Sequence, residues 1–394
     1  MMKNYKGIKI EIKPTAEQIE KINRTIGTGR FLYNFYIAYN KEIYEKEKRF
    51  VTGFEFSKYI NNIFIKENPD KSWIKDVSSK SNKQAIMNSE KAFKRFFNKI
   101  SSFPKFKKKS HNNQKCYFFK NNKTDFEFYR HKIKIPTLKF VRLKEYGYIP
   151  KNTNIKSATI SKEGDRYFLS LILEIKKEIE KNSIQKNLQT KEGIGIDLGI
   201  KDFAICSDGQ VFKNINKTFK VRKIEKKLKR EQRKKSRKYL SCKKMEKNLY
   251  ECKNFQKQKL VIAKLFFKLN CIRNDYINKV VNMLTKTKLK CITIEDLKVS
   301  NMMKNRHLSK AISQQKFYEF RTKLLNKCKE KNIELRIVST FYPSSKLCSN
   351  CGHKKQDLKL KDRIYKCCDC GLEIDRDYNA SLNLRNSTQY TILT

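Results

Sequence analysis

A chain of 394 residues in which 91 Lys and Arg face 39 Asp and Glu carries a formal charge of +52, which is hard to reconcile with a free monomer at low ionic strength and requires a polyanionic partner. Coding bias toward A and T would enrich Glu along with Lys, so the imbalance between them is informative; it implies nucleic acid ahead of an anionic membrane surface. No stretch approaches the ~20 apolar residues that cross a bilayer, and the opening MMKNYKGIKI holds no apolar signal region, so a cytoplasmic protein with no membrane partner is expected.

At this length about two to four domains are expected. YKGIKIEIKP alternates Ile with charged residues, as a half-buried strand does, and Pro14-Thr15 ends it. From Ala16 to about Ile100 apolar residues recur at helical spacing, which predicts a helical domain over 16–100. Phe103-Pro104-Lys105-Phe106 opens a series of short strands, KCYFF, FEFYR, HKIKIP, IKSATIS and YFLSLILEI. With the first strand these predict a small β-barrel, residues 1–15 and 101–178, into which the helices are inserted. The aromatics of RFLYNFYIAYN and KCYFFKNN have two readings, stacking on unpaired bases or packing as core, and helical spacing favours packing. A polar stretch, 179–192, reads as a linker.

A new unit starts at Gly193-Ile-Gly-Ile-Asp197-Leu-Gly, a hairpin carrying Asp197 near the end of its first strand. Residues 220–285 read as helix, and Lys220 to Lys247 holds fifteen Lys/Arg against three Glu. That excess suggests a groove wall for nucleic acid rather than a merely solvated face, with Lys226, Lys227, Arg230, Arg233, Lys234 and Arg237 as candidate phosphate contacts. CITIE ends at Glu295 as a short buried strand, 310–331 is a further amphipathic helix, IELRIVS a strand, and a final helix begins at Asp377.

Near the C-terminus, Cys348-Ser-Asn-Cys351 and Cys367-Cys-Asp-Cys370 are separated by fifteen residues. Each CxxC turn aims two sulfurs at one point, and four thiolates complete a tetrahedral Zn²⁺ shell, so 346–370 reads as a zinc ribbon. A disulfide framework is the rival reading and fits small secreted domains better than this chain. Cys368 competes with its neighbour, but the CxxC spacing selects Cys367 with Cys370. His353 is a further candidate ligand for which a surface role is the simpler reading. The other cysteines read as reduced core or surface thiols.

Asp197, Glu295 and Asp377 form the candidate catalytic set. Cutting a phosphodiester needs an activated water and a stabilised leaving oxyanion, which two divalent ions about 4 Å apart supply, and Mg²⁺ prefers hard carboxylate oxygens. Each acid also has a plain structural reading: a strand-end turn for Asp197, a solvated strand terminus for Glu295, a helix N-cap for Asp377. Asp375 competes for the third role.

In order, GIDLGI, ITIEDL and a CxxC pair running into DRDYNAS resemble the split nuclease of the TnpB proteins encoded by bacterial insertion sequences, relatives of the type V CRISPR effectors. The likeness spans nearly the whole chain, from IKPTAEQIEKI and TIGTGRFLYN through FPKFKKK, with Lys105 and Lys107, to PSSKLCSNCG. It implies a multidomain α+β protein: an N-terminal wedge-like barrel with an inserted helical recognition domain, and an RNase H-like (RuvC) nuclease domain, 193–345 and 371–394, interrupted by the zinc ribbon. It implies an RNA-guided DNA endonuclease. In it Asp197, Glu295 and Asp377 hold Mg²⁺ or Mn²⁺, Arg363 assists cleavage and Zn²⁺ is structural. The implied partners are a guide RNA from the transposon end, bound by one chain, and double-stranded target DNA, in the cytoplasm at the nucleoid. A strand-transferring transposase and a catalytically silent nucleic-acid-binding regulator remain as rivals.

Overall fold

The computed structural model describes residues 4–109, 115–119, 125–151, 153–175, 192–286, 289–359 and 362–393. They fall in two compact units, Met1–Ile184 and Gln185–Thr394, and the expected linker lies outside the described residues but for Glu192.

In the first unit the alternating segment forms β1 (Asn4–Lys13), with Ile10 and Ile12 on the core face. Thr15 then caps α1 (Ala16–Glu47) through a capping box with Gln18, which stops the strand where the charged alternation ends. After α2 (Gly53–Tyr59), a π-turn at Ile60–Phe64, α3 (Ile65–Glu67) and a 3₁₀ segment, α4 (Ser79–Phe97) packs back on α1. Leu32, Tyr36, Ile37, Phe56 and Phe93 fill this helical core, and the Tyr36 hydroxyl donates to the Val51 carbonyl at 2.7 Å. Phe31, Phe35, Tyr36 and Tyr39 of RFLYNFYIAYN therefore serve packing, with rings 4.7–6.3 Å apart, as helical spacing favoured.

The strands that follow are β2 (Lys115–Phe119), β3 (Lys132–Ile135), β4 (Lys139–Leu143), β5 (Asn154–Glu163) and β6 (Arg166–Ile175). With β1 they make one antiparallel sheet in the order β2-β5-β6-β1-β4-β3. The expected closed barrel is thus a half-barrel: among the described residues β2 and β3 are edges, each with one neighbour. FEFYR contributes only an isolated bridge, Phe128 with Ile133, while KFVRL, too basic to stand out, is the strand that pairs with β1 on the side away from β6. Gln18 ties this edge to α1 by donating to the carbonyls of Leu138 and Phe140, each at 2.9 Å.

The second unit opens with β7 (Ile194–Leu198), β8 (Asp202–Cys206) and β9 (Val211–Lys213), an antiparallel meander. The expected 220–285 helix is two helices, α5 (Phe219–Lys244) and α6 (Lys253–Leu284), which close a hairpin over Val221, Ile224, Leu228, Ile262 and Leu269. The connection carries Glu246 at a φ of 51°, which ends any helical path. Then come β10 (Cys291–Glu295), α7 (Val299–Met302), α8 (Ser309–Gln315), α9 (Phe317–Lys331), β11 (Glu334–Val338), β12 (Ile364–Lys366), β13 (Glu373–Asp375), α10 (Arg376–Asn386) and β14 (Thr391–Leu393). Lys316, at a φ of 56°, splits the expected 310–331 helix into α8 and α9. Its ammonium lies 2.6 Å from Glu319 and also meets Asn274, contacts that hold the break.

The strand order is β14-β11-β10-β7-β8-β9, with β10 parallel to both β7 and β11. Ile196, Ile294 and Ile337 pack with Phe203, Ile277, Val280, Phe317, Phe320 and Leu324, so α6 and α9 cover one face. α10 lies along β7.

Candidate active site

Parallel pairing of β10 with β7 runs to Ile294 opposite Ile196. The next residue on each strand is a carboxylate, so Asp197 and Glu295 sit side by side at strand spacing, about 4.8 Å between backbones. Ile196 and Ile294 point into the core, so alternation turns both acids to the opposite face. Gly195 shares that face, and a Cβ there would lie 2.1 Å from the Ser381 carbonyl and 2.4 Å from the Arg385 amide. Bare backbone at Gly195 is what lets α10 rest on β7. Asp377 is one helical turn N-terminal to Ser381, about 6 Å along the axis, while Asp197 is two residues, about 6.6 Å, beyond Gly195. These matched lengths bring the third acid to the first two.

The electrostatics carry the same imprint. Burial pushes the Asp197 carboxyl up to about 7, and the charges of Asp377 and then Glu295 add to the rise, against Arg376. Glu295 is also pushed up to about 7, by burial first and then by Asp296. Asp296 is otherwise engaged: Lys298 and Arg321, at 2.5 Å each, hold its carboxyl below the usual range. This separates the two neighbouring acids of IEDL, leaving Glu295 facing the site.

The N-cap reading weighed for Asp377 falls instead to the aspartate two residues before it. Asp375 is the N-cap, its Oδ1 accepting from the amides of Asp377 and Tyr378 at 3.0 Å each. Asp377, in the first turn, has its carboxylate 3.4 Å from Arg376 and 3.8 Å from Arg363. Arg363 is half exposed at its side chain, and its carbonyl accepts the Arg376 amide at 2.8 Å, so the ribbon strand and the helix start are joined at the acid. Arg376, half-buried beside Asp377, went unnoticed in the sequence because it reads as one more basic residue.

The four cysteines Cys348, Cys351, Cys367 and Cys370 have their sulfurs within 4.8 Å of one another. Four thiol sulfurs at that spacing fit a tetrahedral zinc shell with no open position. Cys370 is pulled down to about 6, first by a hydrogen bond from the Asn350 side chain. Cys368 stays outside the group, 3.2 Å from the His353 ring, so neither competes for the cluster. No comparably tight group joins the carboxylates among the described residues.

The ribbon is fastened to α10 by two buried amides that sequence reading missed. Asn379 donates to the Leu347 carbonyl at 2.6 Å and accepts the Ser349 amide at 2.9 Å. Asn383, one turn on, donates to Leu347 and to Ser344, each at 2.8 Å. Their i, i+4 spacing on one helix face was the available signal.

Of the candidate phosphate contacts, Lys226, Lys227, Arg230, Arg233, Lys234 and Arg237 are all exposed along α5, and Lys234 lies 3.1 Å from Glu231. Lys105 is exposed on a groove of about 1090 Å³ in the first unit, which Arg30 and Lys41 also line. Lys107 lines it too, but its ammonium lies 3.5 Å over the Tyr33 ring and desolvation lowers its pKa, so it packs as well as faces solvent.

Against known families, the OrfB_IS605 model, described as "Probable transposase", matches residues 173–306, and the Cas12f1-like TNB domain matches 317–384. The OrfB_IS605 helix-turn-helix model matches 1–49, a stretch whose described residues hold β1 and the continuous α1. Together these matches support a TnpB-family protein related to Cas12f. The chain is 28% identical over 398 residues to InsQ of Escherichia coli (strain K12), named as a candidate RNA-guided DNA endonuclease, covering 97% of this chain and 92% of that one. A Streptomyces pristinaespiralis protein of like description is 27% identical over 387 residues, covering 98% and 90%. Among solved structures, a Cas12f1–sgRNA–target DNA complex aligns with a TM-score of 0.59 at 15% identity, over 98% of this chain and 99% of that one. That likeness is one of fold, a multidomain mixture of α and β.

Proposed function

We propose that this TnpB-family chain is the RNA-guided DNA endonuclease of an insertion element, and that Asp197, Glu295 and Asp377 carry hydrolysis of guide-matched double-stranded DNA. The observation that carries the reading is the convergence of acids from β7, β10 and α10 on one end of a sheet, two of them pushed up to about 7 by burial. Carboxylates crowded together at adjoining strand ends are suited to cations. The order β9-β8-β7-β10-β11, with β7, β10 and β11 parallel, supports an RNase H-like (RuvC) nuclease domain over 193–345 and 371–394 with the ribbon as an insert.

Mg²⁺ or Mn²⁺ held by these carboxylates would supply an activated water and charge for the departing oxygen. Asp197 and Glu295 would hold such a cation as carboxylates, so its binding would be coupled to proton release. Asp377 is held by Arg376, leaving Arg363, half exposed beside it, to meet the scissile phosphate. The four thiolates fill a structural zinc shell, whose task is to fix the strand that presents Arg363 and, through Asn379 and Asn383, the helix that presents Asp377.

A guide RNA and a target DNA duplex are the partners, one chain per guide, at the nucleoid. The exposed cations of α5 and Lys105 hold phosphates. The helical domain 16–100 and the half-barrel of 1–15 and 101–178 read the short duplex motif, base pairing the rest. The test is to express the chain with its downstream DNA, sequence the co-purified RNA, and offer the complex a plasmid library with Mg²⁺. Guide-matched double-strand cuts that vanish in Asp197→Ala are expected. Discrete RNA without cuts would turn the reading to a binding regulator, and joined DNA ends to strand transfer.

A further inference from the structure

One face of the first sheet is built unlike a folding surface. On β3 and β4 the pairs are Lys132 with Arg142, Ile133 with Val141, and Lys134 with Phe140. Ile133 and Val141 are buried in the core, so alternation sends Lys132, Lys134, Phe140 and Arg142 outward together. Two tyrosines flank them. Tyr129 is 54% exposed with its ring 5.7 Å from Phe140, which is 38% exposed; Tyr146 is 59% exposed with its ring 6.3 Å from His131. The Lys132 ammonium lies over both rings of the first pair, 5.1 Å from Tyr129 and 4.9 Å from Phe140, and Arg142 donates to the Tyr146 hydroxyl at 3.4 Å. Single exposed aromatics are ordinary. Three on one rim, each paired with a cationic or imidazole side chain and none part of the core beneath, are not.

We infer that this rim is a stacking platform for unpaired bases of RNA, with Tyr129, Phe140 and Tyr146 meeting base faces and Lys132 and Arg142 meeting the adjoining phosphates. Flat π-faces flanked by cations suit bases on a phosphate backbone. A protein partner is disfavoured because β3 and β4 present no aliphatic side chain on this face, and Glu127, the acid beside it, is already paired with Lys134 at 2.8 Å. RNA is favoured over DNA because structured RNA offers splayed bases in loops and bulges. The inference rests on the guide-RNA reading above.

The test titrates RNA recovered with the full-length chain against wild type, the triple variant Tyr129→Ala/Phe140→Ala/Tyr146→Ala, and Tyr129→Phe/Tyr146→Phe, each across a range of salt. The triple variant should bind about tenfold or more weakly, since one stacked base is worth that much, with an unchanged salt slope. The phenylalanine pair should bind like wild type. Without any variant, photo-cross-linking of thiouridine-substituted RNA to wild type should recover peptides bearing Tyr129 or Tyr146. Undiminished binding by a folded triple variant, a reduced salt slope, cross-links elsewhere only, or cross-links from DNA in place of RNA would each overturn the platform. A wild-type chain that retains no RNA sinks the guided-nuclease reading itself, whereas RNA binding indifferent to these rings sinks this inference alone.

Discussion

In the first sheet every neighbouring pair runs antiparallel and the outer face of β3 and β4 stays open to solvent; in the second, β10 runs parallel to both neighbours, helices pack on one face and α10 on the other. Both have six strands. Connectivity decides what each can offer. An open antiparallel face presents side chains along its length, suited to many weak contacts, while a covered parallel centre leaves only strand ends, suited to a few acids held rigidly.

If that contrast holds, damage at the strand ends of the second unit should be far larger than damage to exposed surfaces. Asp197→Ala should cut cleavage by roughly a thousandfold or more, the several kcal/mol that a metal-held charge clamp supplies, with RNA binding retained; co-loss of folding would return Asp197 to a structural role. Cys351→Ser should lose the chain's zinc, read by metal release, and with it most cleavage. Zinc retained at one per chain would refute the four-thiolate shell. Gly195→Ala pushes a methyl into the Ser381 carbonyl, so α10 must shift: about 1–3 kcal/mol of stability and a ten- to hundredfold loss of cleavage are expected, with RNA affinity untouched. Equal losses of RNA binding and cleavage would blur the contrast.

A pH series sharpens it further. Asp197 and Glu295 have native pKa values raised to about 7 from an ordinary carboxylate value near 4, so protonation favours the fold. In metal-free protein that help is full below about pH 4 and is lost as pH rises through about 7. Thermal midpoints in chelator should therefore drop across that window, less so in Asp197→Asn, and added Mg²⁺ should restore most at the alkaline end. A flat profile would mean that the acids are not crowded. Smallest of all, Lys227→Ala or Arg230→Ala on exposed α5 should leave stability within about 0.5 kcal/mol and lower the RNA salt slope by about one.

The residues with distinctive chemistry were legible in the sequence, and those that position them were not. Thiol pairs at CxxC spacing and acids ending apolar runs announce themselves by type, and β1 and β7 announce themselves by alternation. The resemblance favoured Asp377 over Asp375, but which of the two caps the last helix could not be read from the sequence, because an N-cap is defined by backbone geometry. Arg376, Asn379 and Asn383 act through contacts with Asp377, Leu347 and Ser344, which lie up to 39 residues away in sequence for Asn383. The half-barrel looked closed because each strand reads alike whether or not the edges meet. The helix breaks at 245–252 and Lys316 have no Pro or Gly to mark them.

The Leu347 carbonyl, taking both Asn379 and Asn383, makes the ribbon and the last helix a single inherited piece. Chimeras among relatives that exchange the metal-binding loop alone would bring a foreign strap to a helix cut for its own. The segment from Ser344 to Asn383 is the natural unit of exchange, and recombination breakpoints within the family should avoid it.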